Sequence, residues 1–242
     1  MSFLWMFIIT VVILQASVFV TTIYLHRAMC HRGLELHPLV ANLMHLHLSL
    51  FTGIVPREWV AVHRKHHHFS DKEGDPHSPY LFGMWNVFFN NFWMYRKEIK
   101  SEATIRKYTP DYQPDFVDRI PGISYGAYFG LAIFIVMFGV TTPWWGVGFW
   151  AFHVVGYIFL NSSINSICHM VGYRNFDNLA TNHQFIALLT GGEGLHNNHH
   201  GHPSSAKFAL RGKEIDPAWP VIWLLERFGL AEVRPEPVAK AA

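Results

Sequence analysis

The amino-acid sequence predicts an all-α, multi-pass membrane protein whose helical cap holds a pair of metal ions. Half of the 242 residues are apolar and only 15% are charged, well below the quarter that is usual in soluble domains. Several long stretches carry no charge at all, and 17 histidines are present. The first two observations predict about three membrane spans and one interfacial or partly embedded helix. The third predicts a metal site.

Residues 3–25 form the first predicted span. They carry no charge, and at about 1.5 Å per residue they are long enough to cross a hydrocarbon core of about 30 Å. A cleavable signal peptide would begin with basic residues and end with small ones. This stretch instead continues directly into His26 and Arg27, so a transmembrane helix is favoured.

Four further segments complete the predicted architecture. The apolar stretches 122–141 and 144–166 are separated by a short turn, which predicts a helical hairpin in the membrane. Segment 38–55 is apolar but short, which predicts a partly embedded or interfacial helix. Segment 80–95 is crowded with aromatic residues and is followed by Arg and Lys, which predicts a helix at the headgroup level. An ordinary aromatic helix of the cap is the alternative for that segment.

The basic residues predict the orientation of the chain. Most Lys and Arg residues lie in segments that three spans would leave on one side, and this side should be cytoplasmic. The amino terminus would then lie outside and the carboxyl terminus inside. A single domain is predicted over 1–232, with a cap formed by 57–118 and 167–232, and the tail 233–242 is predicted to be disordered.

The net charge and the cysteine count argue against nucleic acid as a partner and against a cysteine-based site. A formal net charge of +2 gives no general signal for binding nucleic acid. The two cysteines, Cys30 and Cys168, are too few for an iron–sulfur cluster or a disulfide framework. No Ser or Cys triad and no phosphate-binding glycine motif is evident, so the chemistry should lie with the histidines.

The histidines fall into three tight groups and one additional motif. In two of the groups the spacing i, i+3, i+4 places three imidazoles on one side of a helix. His169 follows Asn165 by four residues, which repeats the same relation. The three groups are His26 and His31; His63, His66 and His67; and His196, His199 and His200.

Nine imidazoles on one side of a membrane predict a metal centre. Crowded histidines without a metal would repel one another on protonation and would lose hydration. Nine ligands exceed what one ion binds, whereas two ions with four or five ligands each account for the number. Imidazole suits zinc, copper, iron and nickel, so the ligand type leaves the metal open. A membrane metal carrier is a further alternative, but it predicts ligands inside the spans.

The motifs that contain these histidines resemble those of the membrane fatty acid desaturases. The segments HRAMCH, EWVAVHRKHH and GEGLHNNHH match the three histidine boxes of that family. The segments NSICH and DPH match two further elements. The resemblance extends from about residue 10 to 231 and is closest to the delta-9 type, which includes stearoyl-CoA desaturases and acyl-lipid relatives.

The resemblance implies a ligand set for two irons. No catalytic residue beyond this metal site is implied, and Asn165 would hold a water at the second iron. The implied ligands are His26, His31, His63, His67 and His199 for one iron, and His66, His169, His196 and His200 for the other.

The resemblance also implies an activity and its partners. The family uses O2 to introduce a cis double bond into a long acyl chain carried by CoA, acyl carrier protein or a membrane lipid. Electrons would come from a separate donor such as cytochrome b5 or a ferredoxin. The predicted location is a bacterial inner membrane, with the site on the cytoplasmic face. A fatty acyl hydroxylase or alkane monooxygenase of the same superfamily remains the closest alternative.

Three residues are predicted to lie beside the metal ligands. Trp59 is a candidate for the wall of the acyl tunnel, and His77 is a candidate for hydrogen bonding near the site. Glu193 either orients a ligand imidazole or is an acid favoured by a helix amino terminus. His45, His47 and His153 lie in apolar helices, where a hydrogen-bonded structural role is expected.

Overall fold

A computed structural model describes residues 2–139 and 142–235. Eleven α-helices and two short strands are present in these ranges, so the prediction of a mainly helical chain is confirmed. The α-helices, in chain order, are α1 (Phe3–Val20), α2 (Pro38–Phe51), α3 (Pro56–Phe69), α4 (Pro79–Phe82), α5 (Met84–Glu98), α6 (Glu102–Tyr108), α7 (Gly126–Phe138), α8 (Pro143–Met170), α9 (Gln184–Leu189), α10 (His196–Gly201) and α11 (Ala218–Arg227).

The first helix is longer than the sequence predicts. After α1 the chain continues without a break as a π-helix, Thr21–Cys30, and the two together form a 28-residue apolar helix, Phe3–Cys30. The predicted span 3–25 lies inside it. The wider π-helical turns carry His26 and end just before His31, and π-helical segments occur frequently at functional sites.

Helix α8 is the second helix that is long and apolar enough to cross a membrane. It has 28 residues, begins with Pro143 at its first position, and contains the predicted span 144–166. The predicted span 122–141 corresponds to a shorter apolar helix, Ile123–Phe138, while residues 140 and 141 lie outside the described residues. Among the described residues, two helices can span by length and composition.

Helices α2 and α3 pass the same test only together, and they are bent by 92° at the break between them. The predicted helix 38–55 is therefore α2, which ends at Phe51. Helix α2 lies close against α7 because Gly130 has no side chain, and a Cβ there would overlap the carbonyl oxygen of Leu50. The bend sets α3, which carries the second histidine group, nearly perpendicular to α2.

A polar contact joins three of the bundle helices. The Ser17 hydroxyl of α1 lies 2.9 Å from His47 Nε2 of α2 and 3.2 Å from His153 Nε2 of α8. Both imidazoles thus have a hydrogen-bonding partner inside the apolar bundle, as a structural role requires. The aromatic helix α5 packs along α8, where Phe88 stacks on Phe159 with ring centroids 5.4 Å apart.

The prediction of an all-α fold is wrong in one detail. Strands β1 (Leu34–Leu36) and β2 (Ala231–Val233) form an antiparallel pair. The first residues of the predicted tail 233–242 are therefore ordered, since Val233 pairs with Leu34 and Arg234 donates its backbone N–H to Gly33. The rest of that tail, 236–242, lies outside the described residues. Local sequence patterns do not reveal a pairing between segments so distant along the chain.

Candidate metal centre

Four segments bring the nine predicted histidines together. His26 and His31 come from the π-helix and the residue after it, and His169 comes from the last turn of α8. The second group lies on α3 and the third on α10. The carboxyl-terminal ends of the two 28-residue helices thus meet α3 and α10 at one place. The nine side chains form two adjacent clusters there.

The first cluster contains five histidines whose ligand nitrogens lie within 4.8 Å of one another. His199 is central: its Nε2 lies 3.0 Å from His26 Nε2 and 2.9 Å from His67 Nε2. His63 Nε2 lies 3.0 Å from His67 Nε2, and His31 completes the group.

The second cluster contains His66, His169, His196 and His200, again with ligand nitrogens within 4.8 Å of one another. His196 Nε2 lies 3.0 Å from His169 Nε2 and 3.1 Å from His200 Nε2. The two clusters are neighbours, because the His67 ring of the first stacks on the His200 ring of the second with centroids 4.4 Å apart.

Each HxxHH motif divides its side chains between the clusters. On α3, the i and i+4 residues His63 and His67 belong to the first cluster, and His66 belongs to the second. On α10 the division is the reverse, since His199 belongs to the first cluster. On a helix, residues i and i+4 lie nearly one above the other, whereas residue i+3 points to one side of the line that joins them. One helical turn therefore serves two sites.

Carboxylates hold the outer nitrogen of three of these imidazoles. His26 Nδ1 lies 2.7 Å from Glu193, His66 Nδ1 lies 2.9 Å from Asp75, and His169 Nδ1 lies 2.7 Å from Asp71. In each pair the Nδ1–H donates to the carboxylate, so the Nε2 lone pair points into the cluster. This is the usual second contact of a metal-bound histidine. Of the two alternatives for Glu193, its contact with His26 favours the orienting one.

Asp71 and Asp75 were not identified as site residues from the sequence. Their position along the chain could have indicated them, because both lie in the segment SDKEGDPH, which follows shortly after the second histidine group. Asp71 and Asp75 are both buried. Burial alone would raise the pKa of Asp75, but the hydrogen bond from His66 holds it below its usual value. A charged carboxylate there strengthens the hydrogen bond from the imidazole.

The side chains present fit metal ions in both clusters. Two unprotonated Nε2 atoms about 3 Å apart repel each other unless a cation lies between them. The buried Nε2 atoms of His31 and His66 have no hydrogen-bonding partner, which is the arrangement expected of ligands. Burial, followed by the neighbouring imidazoles, holds the pKa of His196, His199 and His200 well below the usual value. The neutral form that binds metals is thus favoured.

The remaining predicted residues surround a cavity of about 200 Å3 beside the clusters. Trp59 forms part of its wall and stacks on His63 with centroids 4.7 Å apart. His77 also lines the cavity and stacks on His66 at 4.6 Å. Asn165 lines it too, and its amide donates a hydrogen bond of 3.3 Å to Asn91.

The rest of the cavity wall is largely apolar. Phe51, Ile54, Val154 and Ile158 come from the bend after α2 and from α8, and His26 closes the cavity on the side of the first cluster. A cavity of this kind, between helices and beside convergent polar groups, is typical of a site for an apolar ligand. The fold and site together define a helical, membrane-associated protein with a paired polyhistidine site that could hold metal.

Comparison with known proteins identifies the family. The fatty acid desaturase family model matches residues 3–214 of the chain. The chain therefore belongs to the fatty acid desaturase family and is an oxidoreductase.

Three curated relatives illustrate the range of the family. An acyl-CoA 5-desaturase of Anemone leveillei is 35% identical over 226 residues, which cover 89% of this chain and 67% of the relative. An icosanoyl-CoA 5-desaturase of Limnanthes douglasii is 36% identical over 217 residues, covering 87% of this chain and 59% of the relative. An sn-1 stearoyl-lipid 9-desaturase of Anabaena variabilis is 31% identical over 218 residues, covering 87% of this chain and 76% of the relative.

Proposed function

We propose that the chain is an O2-dependent fatty acyl desaturase that introduces a cis double bond, at the delta-9 position, at a centre of two irons. The observation that carries this proposal is the largely apolar cavity, which contacts the first histidine cluster directly and the second through His77. His26 and His63 of the first cluster form part of the cavity wall, and His77, which stacks on His66 of the second, lines it too. An acyl chain in the cavity would thus lie beside the metal ligands.

The ligands of the proposed irons are the nine clustered histidines, five at one iron and four at the other. When bound, the iron pair would supply the reduction of O2 by two hydrogens from neighbouring methylenes, with two electrons from the separate donor and two protons, which gives an alkene and two waters. Asn165 borders the cavity near His169 and would hold a water at the second iron. Its hydrogen bond with Asn91 fixes the orientation of the amide.

Other side chains orient the ligands and shape the cavity. Glu193, Asp71 and Asp75 keep a proton on the Nδ1 atom of their histidines, so that Nε2 stays available to metal. Trp59 stacks on His63 and closes the cavity over the first cluster with an apolar surface. An apolar wall at this place excludes water from the reacting carbons.

The substrate is proposed to be a long acyl chain on CoA, acyl carrier protein or a membrane lipid. The names of the relatives include acyl-CoA and acyl-lipid desaturases, with double bonds at positions 5, 7 and 9. The delta-9 position is proposed from the resemblance of the histidine boxes and agrees with the stearoyl-lipid relative. Electrons are proposed to come from a separate protein such as cytochrome b5 or a ferredoxin.

The membrane placement is proposed to put the histidine clusters on the cytoplasmic face of a bacterial inner membrane. Helices α1 and α8 would cross with their amino-terminal ends outside, and α7 would return the chain as part of the predicted hairpin. The π-helix that continues α1 and the last turn of α8 carry proposed ligands, His26 and His169. The cap would comprise 57–118 and 167–232, where most of the Lys and Arg residues lie.

Analysis of lipids from cells that express the chain tests the reaction. We expect new monounsaturated acyl chains with a cis double bond and no added oxygen, and cleavage at the double bond should locate it at position 9. A hydroxylated product would contradict desaturation and support a hydroxylase or an alkane monooxygenase.

Metal analysis of the purified protein tests the centre separately from the reaction. We expect about two irons per chain, as the resemblance to the family implies. Protein that contains zinc or copper instead of iron, and that forms no alkene, would contradict the proposal and support a metal-binding or carrier protein.

A further inference from the structure

Helix α11, near the carboxyl-terminal end of the described chain, has an exposed face that is mostly apolar, with Glu226 and Arg227 in its last turn. Its inward face packs through Ala218 and Ile222, which are both fully buried. Its outward face carries Val221, Trp223 and Leu224, and Phe228 directly after the helix is 71% exposed. A helix on the surface of a soluble domain normally turns charged or polar residues outward along its length, and an exposed apolar face of this kind is normally covered.

We infer that α11 lies in the interfacial layer of the bilayer, with this outward face in the lipid. The inference rests on the membrane placement in the proposed function. Lipid is the covering material because of where α11 meets the predicted spanning helix. Ile222 and Ala218 belong to an apolar cluster with Ile23, against which Phe19 also packs.

The position of that contact along the first helix gives the depth of α11 in the bilayer. Phe3–Val20 has 18 residues, a length of roughly 27 Å at about 1.5 Å per residue, which matches the hydrocarbon core. Residues Phe19 to Ile23 therefore lie where the core gives way to the headgroups. A helix packed against them from the side lies at the same level.

Helix α9 continues the same apolar surface. The side chain of Gln184 at its start makes two hydrogen bonds with the backbone of Ile215, at 2.9 and 3.0 Å, which ties α9 to the segment before α11. Phe185, Leu188 and Ile215 are all exposed. The loop after α9 also meets the first helix at the level of Phe19, because Gly191 approaches that residue and Thr22.

Basic and aromatic side chains on α11 and beside it suit a headgroup layer. The Arg227 guanidinium lies 5.2 Å from the Trp223 ring centroid, and the Lys207 ammonium lies 5.6 Å from that of Trp219. Tryptophan with an adjacent cation is enriched at the membrane interface, where the ring meets the acyl chains and the cation meets anionic headgroups.

Anchoring α11 would also fix the first histidine cluster. Asp216, two residues before α11, binds the guanidinium of Arg27 at 2.8 Å, and Arg27 follows the ligand His26. A helix held at the headgroup level would thus hold Arg27, and with it the first histidine group, in place.

Spin-label accessibility in the full-length protein tests the inference. Leu224→Cys and, in a second protein, Phe228→Cys are labelled with a nitroxide in phosphatidylcholine–phosphatidylglycerol vesicles, and relaxation by O2 and by a water-soluble nickel chelate is compared. The native cysteines are buried, and the chain without an added cysteine gives the background. Both labels should have a higher ratio of O2 to nickel accessibility than a label at Glu102→Cys, an exposed position on α6.

A label at Val12→Cys, exposed on α1, reports the hydrocarbon core. If the Leu224 and Phe228 labels match Glu102 while Val12 is shielded from nickel, the inference is overturned and the membrane placement stands. If Val12 also matches Glu102, the membrane placement fails together with the inference. The measurement does not depend on turnover, so absence of an alkene product would contradict the proposed reaction and leave this result unaffected.

Discussion

The guanidinium of Arg27 donates hydrogen bonds of 2.8 and 2.9 Å to the two carboxylate oxygens of Asp216. The two side chains are 0% and 1% exposed, so this is a buried ion pair. Gly192 allows the pair to form, because a Cβ at that position would overlap Asp216. The pair joins the helix that carries the first histidine group to the segment that leads into α11.

Asp216→Asn should destabilise the protein strongly. It leaves the Arg27 charge buried without a counterion, which costs about 3–5 kcal/mol in the free energy of unfolding. Denaturant titration in detergent micelles measures this loss. The control is Glu35→Gln, which removes an exposed partner of Arg234 and should cost about 1 kcal/mol or less. Similar losses in the two variants would contradict the structural role of the buried pair.

His67→Ala should abolish desaturation and lower the iron content, because His67 is a proposed ligand in the first cluster. The matched control is His68→Ala on the same helix, since His68 lies outside both clusters and makes edge-to-face contacts with Phe69 and Tyr108 instead. Product analysis and iron content per chain are measured for both, with membrane insertion checked by fractionation. An active His67→Ala protein would count against the proposed centre.

Asp75→Asn should weaken iron binding about 10- to 100-fold, because the neutral amide no longer holds the proton on His66 Nδ1. Asp71→Asn and Glu193→Gln should act in the same way through His169 and His26. Competition with a chelator measures the affinity, and the exposed Asp177→Asn provides the control. Unchanged affinity in all three variants would contradict the role given to these carboxylates.

The parts of the site that sequence could predict are those fixed by local spacing. An HxxHH motif on a helix must present its imidazoles close together, and two such motifs with the HxxxxH group leave little choice but a shared centre. Which carboxylate meets which imidazole is decided by the tertiary fold. His169 and Asp71 are 98 positions apart, and no local pattern links them.

The same distinction applies to the fold. The length of the apolar stretches predicts the first helix and α8, because a helix that crosses the lipid needs about 20 consecutive apolar residues. The change from α- to π-helix after Val20 leaves that apolar pattern intact, so it was not foreseen. The β1–β2 pair was also missed, because its strands are three residues each and lie near opposite ends of the chain.

Val154→Trp should impair turnover of long acyl chains. Val154 lines the cavity, and the larger side chain would fill space that the proposed substrate needs. A steric cost of about 1–3 kcal/mol corresponds to a loss of roughly 5- to 150-fold in kcat/KM. Because Val154 is not among the clustered residues, the iron content should remain unchanged.

Val155→Trp is the matched control for this variant. Val155 is the next residue on α8 and is 50% exposed on the surface proposed to face lipid, so a tryptophan there should leave turnover unaffected. Both variants are assayed with acyl substrates of increasing length, and the Val154 variant should lose activity most with the longest chains. If the two variants have equal activity at every chain length, the acyl chain binds outside this cavity, because a substrate that never enters the cavity is not obstructed by the added ring.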